Sequence, residues 1–502
     1  MTSKNKNIKL KKRRKRDTFL DALRFVFNKI RSLFPTYIQN TILTTRPAIE
    51  AIGNIYLYRH TDYGLLLSSA AVGIIIGIFV AIFHTAIDFA GEFFNDIITQ
   101  SKKNAYWYLI IFPLIPAIGG LGVGLLRRSV FKIATHEGLH SVVDALIHRD
   151  GRIDWRNSFK SIIFAALSIS SGGGAGREGP TIVLGASLGS TFAQVLKLKP
   201  QQLRVLCGSG AAAAISAIFN APLGGIVFAL EAVIGETRIR TFAPLVISSV
   251  LATATMRVLI GNHPLLITPE LLPVTLNDYL LLAIVGMLSG FVAVYYLKVY
   301  HKTESMIKNR LRKLPDFLRP AVGGIFVGMI LLMLPTMWET NYAPVNHVIA
   351  GQGTPLINNS IFEYLTPFFN QDNIILLSLM VAAATMLIKP ISNAITLGSA
   401  GAGGTMAPVI KTGAMFGFCF GAVISIFFPE LSPGLYALVG AAAVLSATYQ
   451  LPLTGGIVLF EICHNYDLIL PLIFSSVFAA FIVQKSNVKT FNPIAKSTRG
   501  DF

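Results

Sequence analysis

Residues Gly210–Glu231 read GAAAAISAIFNAPLGGIVFALE, and residues Gly440–Glu461 read GAAAVLSATYQLPLTGGIVLFE. The two align without a gap at an offset of 230. Ser216 meets Ser446, Pro222 meets Pro452, Leu223 meets Leu453 and Glu231 meets Glu461. Upstream, Gly176–Gly189 (GREGPTIVLGASLG) aligns with Gly404–Gly417 (GTMAPVIKTGAMFG) at an offset of 228, pairing Pro180 with Pro408 and Gly185 with Gly413. Apolar sequence rich in Gly and Ala resembles itself by composition, but composition does not align prolines and glutamates. The chain therefore reads as two related halves, roughly 60–260 and 275–484. The alignment alone leaves open whether the second half is inverted. Transporters built from such repeats often are, with the ion site at midplane where broken helices meet.

Working outward, the whole chain is a membrane sequence. Of its 502 residues 53% are hydrophobic and 14% charged, and the mean hydropathy is +0.60. A soluble domain carries about 25% charged residues. Long apolar stretches at 63–88, 105–126, 240–260, 278–299, 319–336, 374–388, 412–428, 434–460 and 467–484 each suit a helix crossing a hydrocarbon core of about 30 Å. No run alternates in the manner of a barrel strand, so the expected fold is all-α and polytopic.

Charge orients it. Net charge is +18, and residues 1–16 hold nine Lys or Arg and no acid. This is the mark of a cytoplasmic arm rather than a nucleic-acid site. No cleavable signal pattern follows it. Residues 17–60 are mixed and suit a helix lying at the interface. Lys and Arg crowd 298–319 and 485–499, while 258–297 and 320–388 hold neither. Both termini are then expected in the cytoplasm of a cell-membrane protein. The expected organisation is a basic arm over 1–60, repeats over 61–260 and 261–484, and a short tail over 485–502. Cys207, Cys419 and Cys463 lack metal-type spacing and read as packing residues.

The glycines say where helices break. Ser170–Gly176 (SSGGGAG) cannot form a stable helix interior, and Glu178-Gly179-Pro180 restarts one with Pro in its first turn. Gly398–Gly404 (GSAGAGG) followed by Ala407-Pro408 repeats the device. Each unit aims free backbone N–H groups and the positive end of a helix dipole at one point inside the membrane. Two such ends make an anion site without a fixed cation, which favours release as well as entry. The competing reading is that the glycines serve close helix packing. Glu178, an ionisable residue in mid-membrane, is a functional candidate on that ground alone.

Four motifs, in order, resemble the CLC family of chloride channels and chloride/proton antiporters. Gly176-Arg177-Glu178-Gly179-Pro180 looks like its signature, and Phe219-Asn220-Ala221-Pro222-Leu223 with Glu231 like the helix that follows. Gly404-Thr405-Met406-Ala407-Pro408 resembles its second filter loop, and Asn465-Tyr466-Asp467-Leu468-Ile469-Leu470-Pro471 its segment with the pore tyrosine. The resemblance implies an inverted-repeat fold of tilted, broken helices. It implies a homodimer with one anion path per subunit and no cofactor or metal. Chloride is the expected substrate, protons a possible second one, and fluoride/proton antiport the nearer alternative. By this likeness Glu178 is the gating carboxylate and Tyr466 donates its hydroxyl to the central anion. The N–H groups of Arg177, Gly179, Thr405 and Met406 cradle anions. No regulatory domain is expected after the second repeat, and no enzymatic activity.

Three departures stand out. Ala232 occupies the position of the family's inner proton-relay glutamate. Met406 replaces the usual Phe. The first filter loop, normally Gly-Ser-Gly-Ile-Pro, appears as His136-Glu137-Gly138-Leu139-His140, so that Glu137 and Gly138 fall at the expected anion-binding loop. The same HEGLH run fits the H-E-x-x-H zinc pattern, which would imply an intramembrane metalloprotease. That reading lacks a third ligand, and Gly138 weakens the helix it needs. Three readings of Glu137, between two histidines, are open: it points away into the cytoplasm, it stays protonated beside the anion, or it is the proton acceptor in place of the missing carboxylate.

Overall fold

A computed structural model describes residues 61–101, 105–129, 138–235, 239–268, 278–338 and 342–494, apart from short gaps between 359 and 370, and also the single residue Thr340. The basic arm, the expected interfacial helix, His136, Glu137 and the last residues of the tail lie outside the described residues.

The described chain is helical. In order the α-helices are α1 (Asp62–Ser101), α2 (Ala105–Ser129), α3 (Leu139–His148), α4 (Arg156–Ser170), α5 (Glu178–Val195), α6 (Pro200–Phe219), α7 (Pro222–Phe228), α8 (Ile239–Ile260), α9 (Asp278–Leu311), α10 (Arg319–Met333), α11 (Ala343–Ile349), α12 (Gln371–Gly398), α13 (Met406–Phe427), α14 (Pro433–Tyr449), α15 (Pro452–Cys463) and α16 (Ile469–Lys485). Among the described residues eight helical segments are long and apolar enough to span a bilayer, and four shorter apolar helices accompany them.

One expectation is corrected here. The apolar stretch 434–460 is not one crossing helix but two, α14 and α15. Gln450 adopts a left-handed conformation (φ 55°) and Leu451 N–H donates to the Ser446 carbonyl, which closes α14. Pro452 then opens α15, since it cannot extend a helix but suits the first turn of one. The first repeat turns the same way: Asn220 is left-handed (φ 55°), Ala221 N–H donates to the Ser216 carbonyl, and Pro222 opens α7.

The halves pack alike. In the first, α5 lies on α6, and α8 packs on both α6 and α1; in the second, α13 lies on α14, and α16 on both α14 and α9. Within each half, matched glycines let backbones touch. A Cβ at Gly185 would overlap the Gly210 carbonyl, and one at Gly413 the Gly440 carbonyl. Across the halves, α2 packs on α10 and α7 on α15. The equivalent segments at Gly176 and Gly404 pair antiparallel, so a two-fold rotation relates the halves rather than a translation.

Burial follows from this arrangement. Every residue of α14 from Gly434 to Tyr449 is buried, as is α6 from Leu206 to Phe219. On α1, Ile74, Ile78 and Ile82 are exposed while Val72, Ile76 and Val80 are not. Apolar outer faces at four-residue spacing suit contact with lipid tails.

Candidate anion site

The two glycine loops meet face to face. Gly176 N–H donates to the Gly404 carbonyl (2.8 Å) and Gly404 N–H donates to the Gly176 carbonyl (2.6 Å). Helix α12 holds both loops. The Asn393 amide donates to the carbonyls of Gly174 (2.9 Å) and Gly404 (3.4 Å), and Gly174 N–H donates to the Thr396 hydroxyl (2.9 Å). Tyr296 of α9 in turn donates to the Asn393 side-chain oxygen (3.3 Å). All four hydrogen bonds of this clamp are buried, where leaving one unmade costs about 1–3 kcal/mol.

This pairing brings the N-termini of α5 and α13 together. Neither N-cap side chain, Arg177 or Thr405, caps its own helix. The first-turn N–H groups of each helix thus lack intrahelical acceptors and carry the positive end of the dipole. The Thr405 hydroxyl is hydrogen-bonded instead to the hydroxyl of Tyr449, at the end of α14. A cavity of about 210 Å³ opens at this point, lined by Gly138, Gly179, Ile182, Gly404, Thr405, Met406 and Tyr449 among others. It joins the N-termini of α5 and α13, and Gly138 at the start of α3, in one space.

Glu178 opens α5 and is fully buried. Tyr342, the residue before α11, donates its hydroxyl to Glu178 Oε1 (2.8 Å). A Cβ on Gly176 would overlap the Glu178 carboxylate and the Ala407 methyl, so only glycine fits. The Arg177 guanidinium, 4% exposed, lies over the Tyr342 ring (5.9 Å) and 3.7 Å from Asp88 of α1. His84 Nδ1 stands 2.7 Å from the other Asp88 oxygen. Two more charges are buried nearby in the fold. Lys389 donates to the Met337 carbonyl (2.6 Å), and Lys411 to the carbonyls of Trp338 (2.8 Å) and Thr336 (3.1 Å). Full-length ammonium groups inside a membrane protein mark functional ground.

The expected site residues fall into three groups. Gly138, Gly179, Thr405 and Met406 line the cavity, and Glu178 is buried at the loop that feeds it. Arg177 belongs through its backbone to the N-terminus of α5, while its side chain turns toward Tyr342 and Asp88. Tyr466 is placed elsewhere. It lies in a short 3-10 turn before α16, is 73% exposed, and has its ring 5.6 Å from Phe460. The phenol that reaches the second filter loop is Tyr449. Its signal was present in the repeat alignment, where Tyr449 stands opposite Phe219 and adds a hydroxyl. Asn393 and Tyr342 carried no pattern that sequence reading can use. Of the HEGLH run, His140 borders the cavity. Among the described residues no three His, Cys, Asp or Glu side chains gather to hold a metal.

The profile of the family described as voltage gated chloride channel matches residues 119–484, and the chain belongs to that family. It is 28% identical over 445 residues to the H(+)/Cl(-) exchange transporter ClcA of Vibrio vulnificus, covering 87% of this chain and 90% of that protein. The ClcA of Vibrio cholerae is also 28% identical, over 437 residues, covering 84% and 87%. Among solved structures, a slow cyanobacterial Cl-/H+ antiporter superposes with a TM-score of 0.72 at 21% identity, covering 87% of this chain and 98% of that one. A CLC-type fluoride/proton antiporter superposes at 0.66 and 19% identity, covering 86% and 98%. The chain is a multi-pass membrane protein of the CLC type, with the two-repeat fold that its sequence implied.

Proposed function

We propose that this protein exchanges chloride for protons across the cell membrane, with Glu178 as the gate. The observation that carries the reading is the Gly176–Gly404 pair, which sets two uncapped helix N-termini against one cavity beside a buried carboxylate. Backbone N–H groups of Gly179, Thr405 and Met406 supply partial positive charge for an anion that has shed water. Ionised, Glu178 competes for that charge. Protonated, it no longer does, and the path is open to the anion. The proton enters the cycle through this competition.

Exchange transporters among the relatives support chloride and protons as the substrates. The fluoride/proton structure shares the fold at lower similarity. We place the basic arm and tail in the cytoplasm, by the positive-inside rule, and the working unit as a homodimer, by likeness to the family. The test is flux from liposomes with chloride and pH recorded together. Chloride-driven proton movement supports exchange. Chloride movement alone makes the protein a channel, and movement of fluoride without chloride reassigns the substrate.

A further inference from the structure

We propose that Glu304, with His301 beside it, is the inner proton-loading site of this chain. The inference rests on the exchange reading above. The position named in the sequence, Ala232, carries no ionisable group and is fully buried between α7 and α8. The cavity offers another. From Gly404 and Thr405 it runs to the last turns of α9, where Tyr300, His301 and Glu304 line it, and to Lys489 beyond α16. Among the described lining residues Glu304 is the one carboxylate.

Two ionisable side chains, His301 and Lys308, stand beside it. The Glu304 side chain is 22% exposed, less than its partner Lys308 at 58%, so the carboxylate faces inward while the ammonium faces out. Lys308 donates to Oε1 (2.7 Å). His301 Nδ1 stands 3.7 Å from Oε2, and His301 Nε2 lies 2.9 Å from the Lys489 carbonyl oxygen. A carbonyl only accepts, so Nε2 keeps its hydrogen. Nδ1 is then the ring nitrogen that faces Glu304; it carries a lone pair when the ring is neutral and a hydrogen when the ring is charged. The other titratable residues bordering the same space are Tyr300 on α9, Tyr449 on α14, His140 on α3 and Lys489 beyond α16.

A space of 210 Å³ holds several waters at about 30 Å³ each. A proton arriving from the inner solution converts the Glu304 carboxylate to the acid, removing one negative charge from the anion's own cavity. Water in the cavity then passes the proton toward the filter. The two substrates thus share the vestibule, and Lys308 and Lys489 offset the carboxylate while an anion is present.

The competing reading is a helix-surface ion pair between residues four apart. Flux through liposomes holding the full chain separates the two. Glu304→Gln is expected to lose chloride-driven proton uptake, and Glu304→Asp to keep it. Lys308→Met is expected to move the midpoint of proton uptake to higher pH, because removing the ammonium favours the protonated acid. Wild-type proton uptake in Glu304→Gln overturns the proposal. So does a wild type that moves chloride and no protons, which leaves anion transport standing. Absence of any anion movement by the wild type defeats the transport reading itself. If Glu304→Gln does not assemble, the Lys308→Met midpoint decides, and an unmoved midpoint overturns the proposal.

Discussion

Glu231 and Glu461, equivalent residues of the two repeats, each cap the other repeat's helix. Glu231 accepts from Thr454 N–H (2.9 Å) and its hydroxyl (2.6 Å) at the start of α15. Glu461 accepts from Gly224 N–H (2.6 Å) and Leu223 N–H (3.1 Å) at the start of α7. A carboxylate at a helix N-terminus satisfies orphan donors and complements the dipole. The exchange is reciprocal, as a two-fold relation demands. It ties the short helices α7 and α15 together where neither is long enough to span alone.

Removing either cap therefore weakens the junction of the halves. Glu461→Ala is expected to cost about 1–3 kcal/mol, the range for losing hydrogen bonds to a charged group. Glu231→Ala is expected to cost a similar amount. Thermal unfolding of the detergent-solubilised protein measures it, and unchanged midpoints in both variants would remove the caps from the account.

Glu178→Gln imitates the protonated form of the proposed gate. Chloride movement is expected to persist, to lose its pH dependence, and to carry no protons. In the wild type flux is expected to rise as pH falls, because protonation would remove the charge that competes with the anion. Chloride efflux from liposomes across a pH series gives the answer. A Gln variant with the wild-type pH profile shows that the gate lies elsewhere.

Tyr449 and Tyr466 are expected to behave oppositely. Tyr449→Phe deletes the hydroxyl that meets Thr405 and is expected to weaken chloride binding by about 0.5–1.5 kcal/mol, one neutral hydrogen bond. Tyr466→Ala, on an exposed turn, is expected to bind chloride as the wild type does. Isothermal calorimetry on both variants tests the assignment, and the reverse pattern would restore Tyr466 to the site.

Gly176→Ala places a methyl where the Glu178 carboxylate and the Ala407 methyl already stand. Overpacking of this kind costs about 1–3 kcal/mol. The loop is expected to shift, breaking the Gly176–Gly404 pair. Stability and anion affinity should then fall together. Calorimetry and thermal unfolding of the same sample check this, and a variant normal in both would show that the loop has room to spare.

The sequence by itself determined the membrane class, the two repeats, the breaks at the glycine loops and the candidacy of Glu178. Each depends on local chemistry or on self-comparison. Low charge with long apolar runs leaves no soluble alternative, a glycine run cannot continue a helix, and prolines matched at a fixed offset mark equivalent turns. Even the break at Gln450–Leu451 was legible in Pro452, although the apolar stretch around it read as one span.

Tertiary structure decided what those elements touch. The antiparallel meeting of Gly176 with Gly404 joins loops 228 positions apart, and nothing in either loop names its partner. Asn393 holds both loops from a third helix, and an isolated buried asparagine leaves no periodic trace. Tyr449 and Tyr466 are each a tyrosine near a helix end. Motif order favoured Tyr466, and only the packing of α14 against α13 put the Tyr449 hydroxyl on Thr405. Glu304 lies within the basic stretch 298–319, and only the fold sets it in the same cavity as Thr405. The physical reason is common to all four cases. Hydropathy and glycine act on the chain's local conformation, whereas a hydrogen bond between distant residues depends on where two helices cross.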